Sequence, residues 1–176
     1  GFSAFIYPVQ AGISLHQVPQ LLERGMPPWV EVSAVATFSL VAALSSLGFG
    51  MFAGRFGSRY ALCIAALSLS ASALAFIAVQ HPWQAYLAAT LFGIGIGGLQ
   101  TLLPVIWGEY YGRRNFGAIR GMTLPVQVIA QAAGPLLAGA AFDWRGNYEY
   151  SMMLFAGFGV TAAILVCFAR PPAWRP

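Results

Sequence analysis

Long apolar runs, broken at short and regular intervals, dominate this sequence. They extend approximately from Phe2 to Leu22, Val30 to Phe52, Ala61 to Val79, Gln84 to Trp107, Phe116 to Phe142 and Tyr150 to Ala169. Each is about the 20 residues a helix needs to cross a bilayer, and none alternates like a barrel strand, so the pattern predicts six membrane-spanning helices. Six spans of about 20 residues leave roughly 56 positions for every connection and end, too few for a soluble domain. Links this short make consecutive helices antiparallel neighbours in one bundle, with the backbone satisfied internally as lipid demands. The predicted fold is an all-α six-helix transmembrane bundle, residues 1–176 forming a single domain.

Composition agrees. The chain is 59% hydrophobic and 8% charged, with a mean hydropathy of +0.70, whereas soluble domains carry roughly 25% charged residues. A soluble chain of 176 residues has too much surface for its volume to bury so much apolar material. Cys63 and Cys167 stand in separate apolar runs with no partner at metal-ligand or redox spacing, so they read as small core residues. The start resembles no cleavable leader, because no basic region precedes the first run and the first residue is Gly1. It reads as an internal cut.

Charge assigns the sides. Arg55, Arg59, Arg113, Arg114, Arg120, Arg170 and Arg175 are seven of the nine basic residues, and all fall on one side of the six spans. The other side holds Glu23, Arg24 and Glu31, then His81 and Trp83, then Asp143, Arg145 and Glu149. By the positive-inside rule the arginine-rich side is cytoplasmic, so both ends of the chain are expected there, in a multi-pass protein of the cell (inner) membrane.

The stretch GMFAGRFGSRY, Gly50 to Tyr60, resembles the G-x-x-x-D-R-x-G-R-[RK] loop of the major facilitator superfamily, whose copy in the C-terminal half joins helices eight and nine. Gly54 stands at the family's Asp position, a departure common in that second copy. The segment GEYYGRRNFGAIRG, Gly108 to Gly121, looks like the loop between helices ten and eleven in the monocarboxylate and oxalate/formate carrier branch. GPLLAGAAFDWRGNY, Gly134 to Tyr148, is similar to the signature that closes helix eleven. The resemblance implies helices seven to twelve of a transporter, the N-terminal six-helix half being the absent partner. Gly93, Gly95 and Gly98 also fit G-x-G-x-x-G, but they lie inside an apolar span rather than after a strand. There they serve close helix packing, not dinucleotide binding.

Polar groups inside a membrane are costly unless paired or wet, so they point toward a pathway. In the first span Ser3, Tyr7, Gln10, Ser14 and Gln17 fall within about 80° of one another by helical periodicity. Gly93, Gly97, Gln100 and Pro104 form a stripe in the fourth span, and Arg120, Thr123, Gln127, Gln131 and Gly134 share a face of the fifth. Two readings follow: glutamines that bond neighbouring helices, or a central cavity lined by spans one, four and five, which the resemblance also implies. In the cavity reading the substrate pathway is Tyr7, Gln10, Ser14, Gln100, Thr123, Gln127 and Gln131. Pro8, Gly12 and Pro19 are expected to break or bend the first span, and His16, off the stripe, to hydrogen-bond a neighbouring helix. The third and sixth spans carry small hydroxyls and glycines, suited to packing or lipid contact.

The chain has no Lys, and no Asp or Glu is read within a span. Arg120 is placed at the cytoplasmic mouth of the cavity. With Arg55, Arg59, Glu109 and Arg113 it forms a cytoplasmic gate in which Glu109 supplies the carboxylate that Gly54 lacks. The expected activity is secondary active transport of a small organic solute by alternating access, a carboxylate being suggested by the family branch. The alternative is a non-transporting six-helix scaffold. No nucleophile and base are placed together, so no enzyme is expected. Cofactors, metals and nucleic acid have no visible seat; the expected partners are solute, bilayer and the other half.

Overall fold

The computed structural model describes residues 2–111 and 116–169. The chain forms α1 Phe2–Glu23, α2 Pro28–Phe56, α3 Ser58–Ile77, α4 Pro82–Tyr111, α5 Phe116–Arg145 and α6 Glu149–Phe168. No strand occurs among the described residues. Five of these helices are long and apolar enough to cross a membrane, judged by length and composition. The exception is α1, whose 22 residues include Gln10, His16, Gln17 and Gln20.

Several helices run beyond their predicted ends. Arg55 lies in the last turn of α2 and Arg59 in the first turn of α3, so the expected link between the second and third runs contracts to Gly57. That residue has φ +94°, a conformation open to glycine because it has no Cβ. A cation in the last turn of α2 also suits the negative end of the helix dipole. Helix α1 is continuous through Pro8 and Pro19, which corrects the expectation of a break. Prolines are tolerated in membrane helices where neighbours brace the freed backbone. Here α5 comes so close that a Cβ on Gly134 would strike the Pro8 carbonyl and the Gly12 nitrogen.

Sequence neighbours are mostly not the main packing partners, a second correction. Helix α2 packs chiefly on α4, α3 on α4 and α6, and α1 on α5 and α6, whereas α1–α2, α2–α3, α4–α5 and α5–α6 touch lightly. Exchanging α1, α2, α3 for α4, α5, α6 maps this pattern onto itself: α2–α4 becomes α5–α1, α3–α4 becomes α6–α1, and α3–α6 is unchanged. Three helices make an odd number of crossings, so α4 runs opposite to α1 and the two triplets are inverted repeats. Residue size, not loop length, selects these partners. Gly93 and Gly97 of α4 seat Phe38, Val41 and Ser45 of α2, while Gly95 and Gly98 seat Leu69 and Ala65 of α3. Close approach of this kind replaces the hydrophobic drive that lipid removes. Hydroxyls add bonds between helices: Ser72 of α3 donates to the Ala88 carbonyl at 3.0 Å, and Ser33 of α2 meets the Tyr86 hydroxyl at 2.7 Å. At one end of the bundle Trp29, Trp83 and Trp144 are exposed, as in the aromatic belt of a membrane interface.

Candidate functional site

Where α1, α4 and α5 converge they enclose a cavity of about 250 Å³. Helix α1 contributes Tyr7 and Gln10, α4 contributes Leu99, Gln100, Leu103 and Pro104, and α5 contributes Arg120, Gln127 and Gln131. Spacings of three and four residues put each pair on one helix face. Arg120 stands seven residues before Gln127, about 10 Å along the axis, so the cation and the glutamines occupy different depths. Tyr7 and Leu103 are buried, Gln10, Gln127 and Gln131 half-buried, and Gln100 exposed, so the cavity opens on the Gln100 side.

Two observations bear on its chemistry. The Arg120 guanidinium lies over the Trp107 ring at 5.2 Å from the centroid, a cation–π contact that offsets part of the cost of a charge away from water. Gln127 Oε1 is buried with no hydrogen-bond partner, and an unmet buried acceptor costs about 1–3 kcal/mol. Among the described residues none of Gln10, Gln100, Gln127 or Gln131 bonds to another helix. Their amides are therefore free for whatever enters.

The remaining predicted pathway residues lie elsewhere. Ser14 is exposed and lines no part of the cavity. Thr123 donates to the Arg120 carbonyl at 3.2 Å and borders a second cavity of about 550 Å³, largely apolar, with Leu62, Ile106, Trp107, Met122 and Arg59. Ser3 borders it too. Gly93 and Gly97 face α2 rather than the polar cavity.

The proposed gate is only partly assembled. Arg120, half-buried, is among the residues that line the cavity. Arg55 is exposed, 5.8 Å from the Phe56 ring, and the half-buried Arg59 lies 6.0 Å from the Tyr60 ring. Glu109 accepts a hydrogen bond from the Ser58 hydroxyl at 2.8 Å, which holds a carboxylate beside the first residue of α3, where the helix dipole favours negative charge. Among the described residues the one ion pair is Arg24–Glu149, at 2.6 Å, so Glu109 pairs with neither Arg55 nor Arg59. Arg113 lies outside the described residues.

Other polar positions lie outside the predicted pathway and gate. Glu31 is 6% exposed in the first turn of α2, with one carboxylate oxygen unpartnered. This corrects the reading of acid-free spans, and its position one residue into the second apolar run was the available signal. Gln20 donates to the Phe76 carbonyl at 3.1 Å, tying α1 to α3. It also borders a pocket of about 190 Å³ with Glu23, Arg24, Asn147, Tyr148 and Glu149. Burial, and then the Glu23 and Asp143 carboxylates, raise the Tyr148 hydroxyl above its ordinary pKa. His16 lies with its ring 5.1 Å from that of Tyr148, and its Nδ1 is buried without a partner. It makes an aromatic contact in place of the expected interhelical hydrogen bond. Cys63 and Cys167, read as isolated, are neighbours with their Sγ atoms 2.6 Å apart.

Inverted helical triplets around a polar cavity are the architecture of secondary carriers. The chain belongs to the Major Facilitator Superfamily, which it matches over residues 9–176. It is 25% identical to Protein spinster homolog 1 of Homo sapiens over 123 residues, 67% of this chain and 23% of that protein. Hexose transporter HXT13 of Saccharomyces cerevisiae is 33% identical over 76 residues, 43% and 14% of the two chains. Monocarboxylate transporter 7 of Homo sapiens is 24% identical over 162 residues, 90% of this chain and 31% of that protein. The chain thus spans less than a third of the length of each of these relatives.

Proposed function

We propose that this chain is the C-terminal six-helix half, helices seven to twelve, of a secondary active transporter that carries a small organic anion by alternating access. The observation that carries the proposal is the cavity in which Arg120 and the unbonded amides of Gln10, Gln100, Gln127 and Gln131 converge from α1, α4 and α5. A guanidinium matches a carboxylate in charge and fork geometry, and glutamine amides can meet the remaining oxygens. A cavity of about 250 Å³ is smaller than typical drug-sized pockets of about 300–1,000 Å³, which favours a small solute. The name of Monocarboxylate transporter 7, which aligns with 90% of this chain, agrees with a carboxylate.

The N-terminal half would cover the open side of the cavity and the exposed apolar faces of α2 and α5. In this arrangement the arginine-rich ends face the cytoplasm. The gate residues Arg55, Arg59, Glu109 and Arg113 then meet the other half when that side closes. Glu109 would exchange its Ser58 contact for an arginine in that state.

The test is counterflow of labelled carboxylates by the complete protein. Loss of one charged hydrogen-bonded contact costs about 1.5–3 kcal/mol, so Arg120→Gln is expected to weaken apparent affinity roughly 10- to 100-fold at normal expression. Gln127→Ala and Gln131→Ala should impair uptake in the same way, and this chain alone should show no saturable uptake. Loss of folded protein with unchanged affinity would make these residues packing elements. Absence of flux for every solute would favour the scaffold.

A further inference from the structure

We infer that Cys63 and Cys167 form a thiol pair that closes into an intramolecular disulfide, a modification site joining α3 to α6. Helix packing brings them together from 104 residues apart in sequence. The α3–α6 contact brings Ala66 and Ser70 on one side against Gly159 on the other, and Cys63 against Ala163, with Ala66, Ser70, Gly159 and Ala163 all buried. A Cβ on Gly159 would collide with the Ser70 hydroxyl, so these backbones are as close as the residues allow. Cys63 is seven residues before Ser70, and Cys167 is eight after Gly159. In an antiparallel pair those displacements lead to the same level, two turns toward the arginine-bearing end.

Packed helix axes lie about 8–10 Å apart and Cα atoms ride about 2.3 Å off each axis, so residues that face each other squarely come within the Cα separation a disulfide can span, up to about 7 Å. The small-residue contact draws α3 and α6 together so that this pair does face. The Cys63 sulfur lies 2.6 Å from that of Cys167 and 3.7 Å from the Ala163 carbonyl. Cys63 is five residues into α3, about 7.5 Å from its start, and Cys167 is the penultimate residue of α6. Both are partly exposed, as free cysteines, close to where a membrane meets water.

The oxidant belongs to the class of small soluble disulfides, such as oxidised glutathione. One cysteine loses its thiol proton and attacks a sulfur of that disulfide, releasing one reduced thiol, which takes up a proton, and leaving a mixed disulfide. The second cysteine, losing its proton, attacks the protein sulfur of the mixed disulfide and releases a second reduced thiol. Two protein thiols are oxidised and one external disulfide is reduced.

The test treats the purified chain in detergent with oxidised glutathione, denatures it, alkylates with a maleimide and measures intact mass. Pairing predicts the mass of the chain less two hydrogens, no alkylation, one cross-linked peptide containing both cysteines, and full reversal by dithiothreitol. In Cys63→Ser, Cys167 should be alkylated or carry one glutathione. Because serine could disturb folding, chain unfolded in dodecyl sulfate before oxidation provides the second comparison and should give mainly separate adducts. Two independent glutathione adducts on the folded chain, or two alkylated cysteines after oxidation, would overturn the inference.

Discussion

Helices α3 and α6 differ from α2 and α5 in how they spend their apolar surface. In the most apolar window of each helix, 50% of α3 and 44% of α6 are buried within the bundle, against 11% for both α2 and α5. All four are strongly apolar. The buried positions of the inner pair include Ala65, Ala66, Ala162 and Ala163, whereas Leu40, Leu47, Met122 and Ile129 of the outer pair turn outward. In a bilayer, where lipid is as apolar as leucine, small residues mark contact within the bundle and large ones mark the face offered to lipid or to a partner.

The strongest way to break this contrast is to enlarge a small contact residue. Gly134→Leu, which drives a side chain into the α1 backbone at Pro8, should abolish the folded bundle, seen as aggregation in size-exclusion chromatography. Ala66→Leu on α3, where Ala66 is fully buried, should destabilise by about 1–3 kcal/mol through overpacking, measured by denaturation in dodecyl sulfate. Survival of both at wild-type stability would remove residue size as the organising variable. Arg24→Ala, which breaks the exposed ion pair between the turn after α1 and the start of α6, is expected to cost about 0–1 kcal/mol. Leu44→Ala on the outward face of α2 should change the stability of this chain by less than about 0.5 kcal/mol. In the complete protein a larger loss would show that this face carries a contact beyond this chain.

A pH measurement sharpens the junction between α5 and α6. Tyr148 has a raised hydroxyl pKa, so the folded state holds its proton to higher pH than the unfolded chain. Its contribution to stability is complete below the unfolded value of about 10 and is lost as pH rises through the folded value. Tyr148→Phe should therefore flatten the alkaline limb of the stability profile, leaving neutral pH unaffected.

Helix number and the cavity glutamines were legible because both rest on local periodicity. Gln127 and Gln131 share a face in any straight helix, and the structure places them together. Ser14 shares its face by angle but lies beyond the residues that line the cavity, and Thr123, at a level between the cavity-lining Arg120 and Gln127, turns to the second, apolar cavity instead, which periodicity along a single helix cannot reveal. Neighbour choice was not legible either. Short links imply antiparallel order, yet contact depends on which faces carry Gly95, Gly98 or Gly159 and on the partner each can seat. The cysteine pair depends on that long-range choice and has no local trace. Glu31 was legible one residue into the second run, but at that position its charge also reads as part of the link before it.

The junction at Gly57 has a mechanical consequence. A peptide plane is rigid, so one residue between two helices supplies just two soft torsions. Helices α2 and α3 therefore act as a crank with a single pivot, and lateral force on the outward face of α2 becomes torque on α3 instead of slack in a loop. Arg55 and Arg59 sit on opposite arms of that pivot. A partner gripping both would set the angle directly.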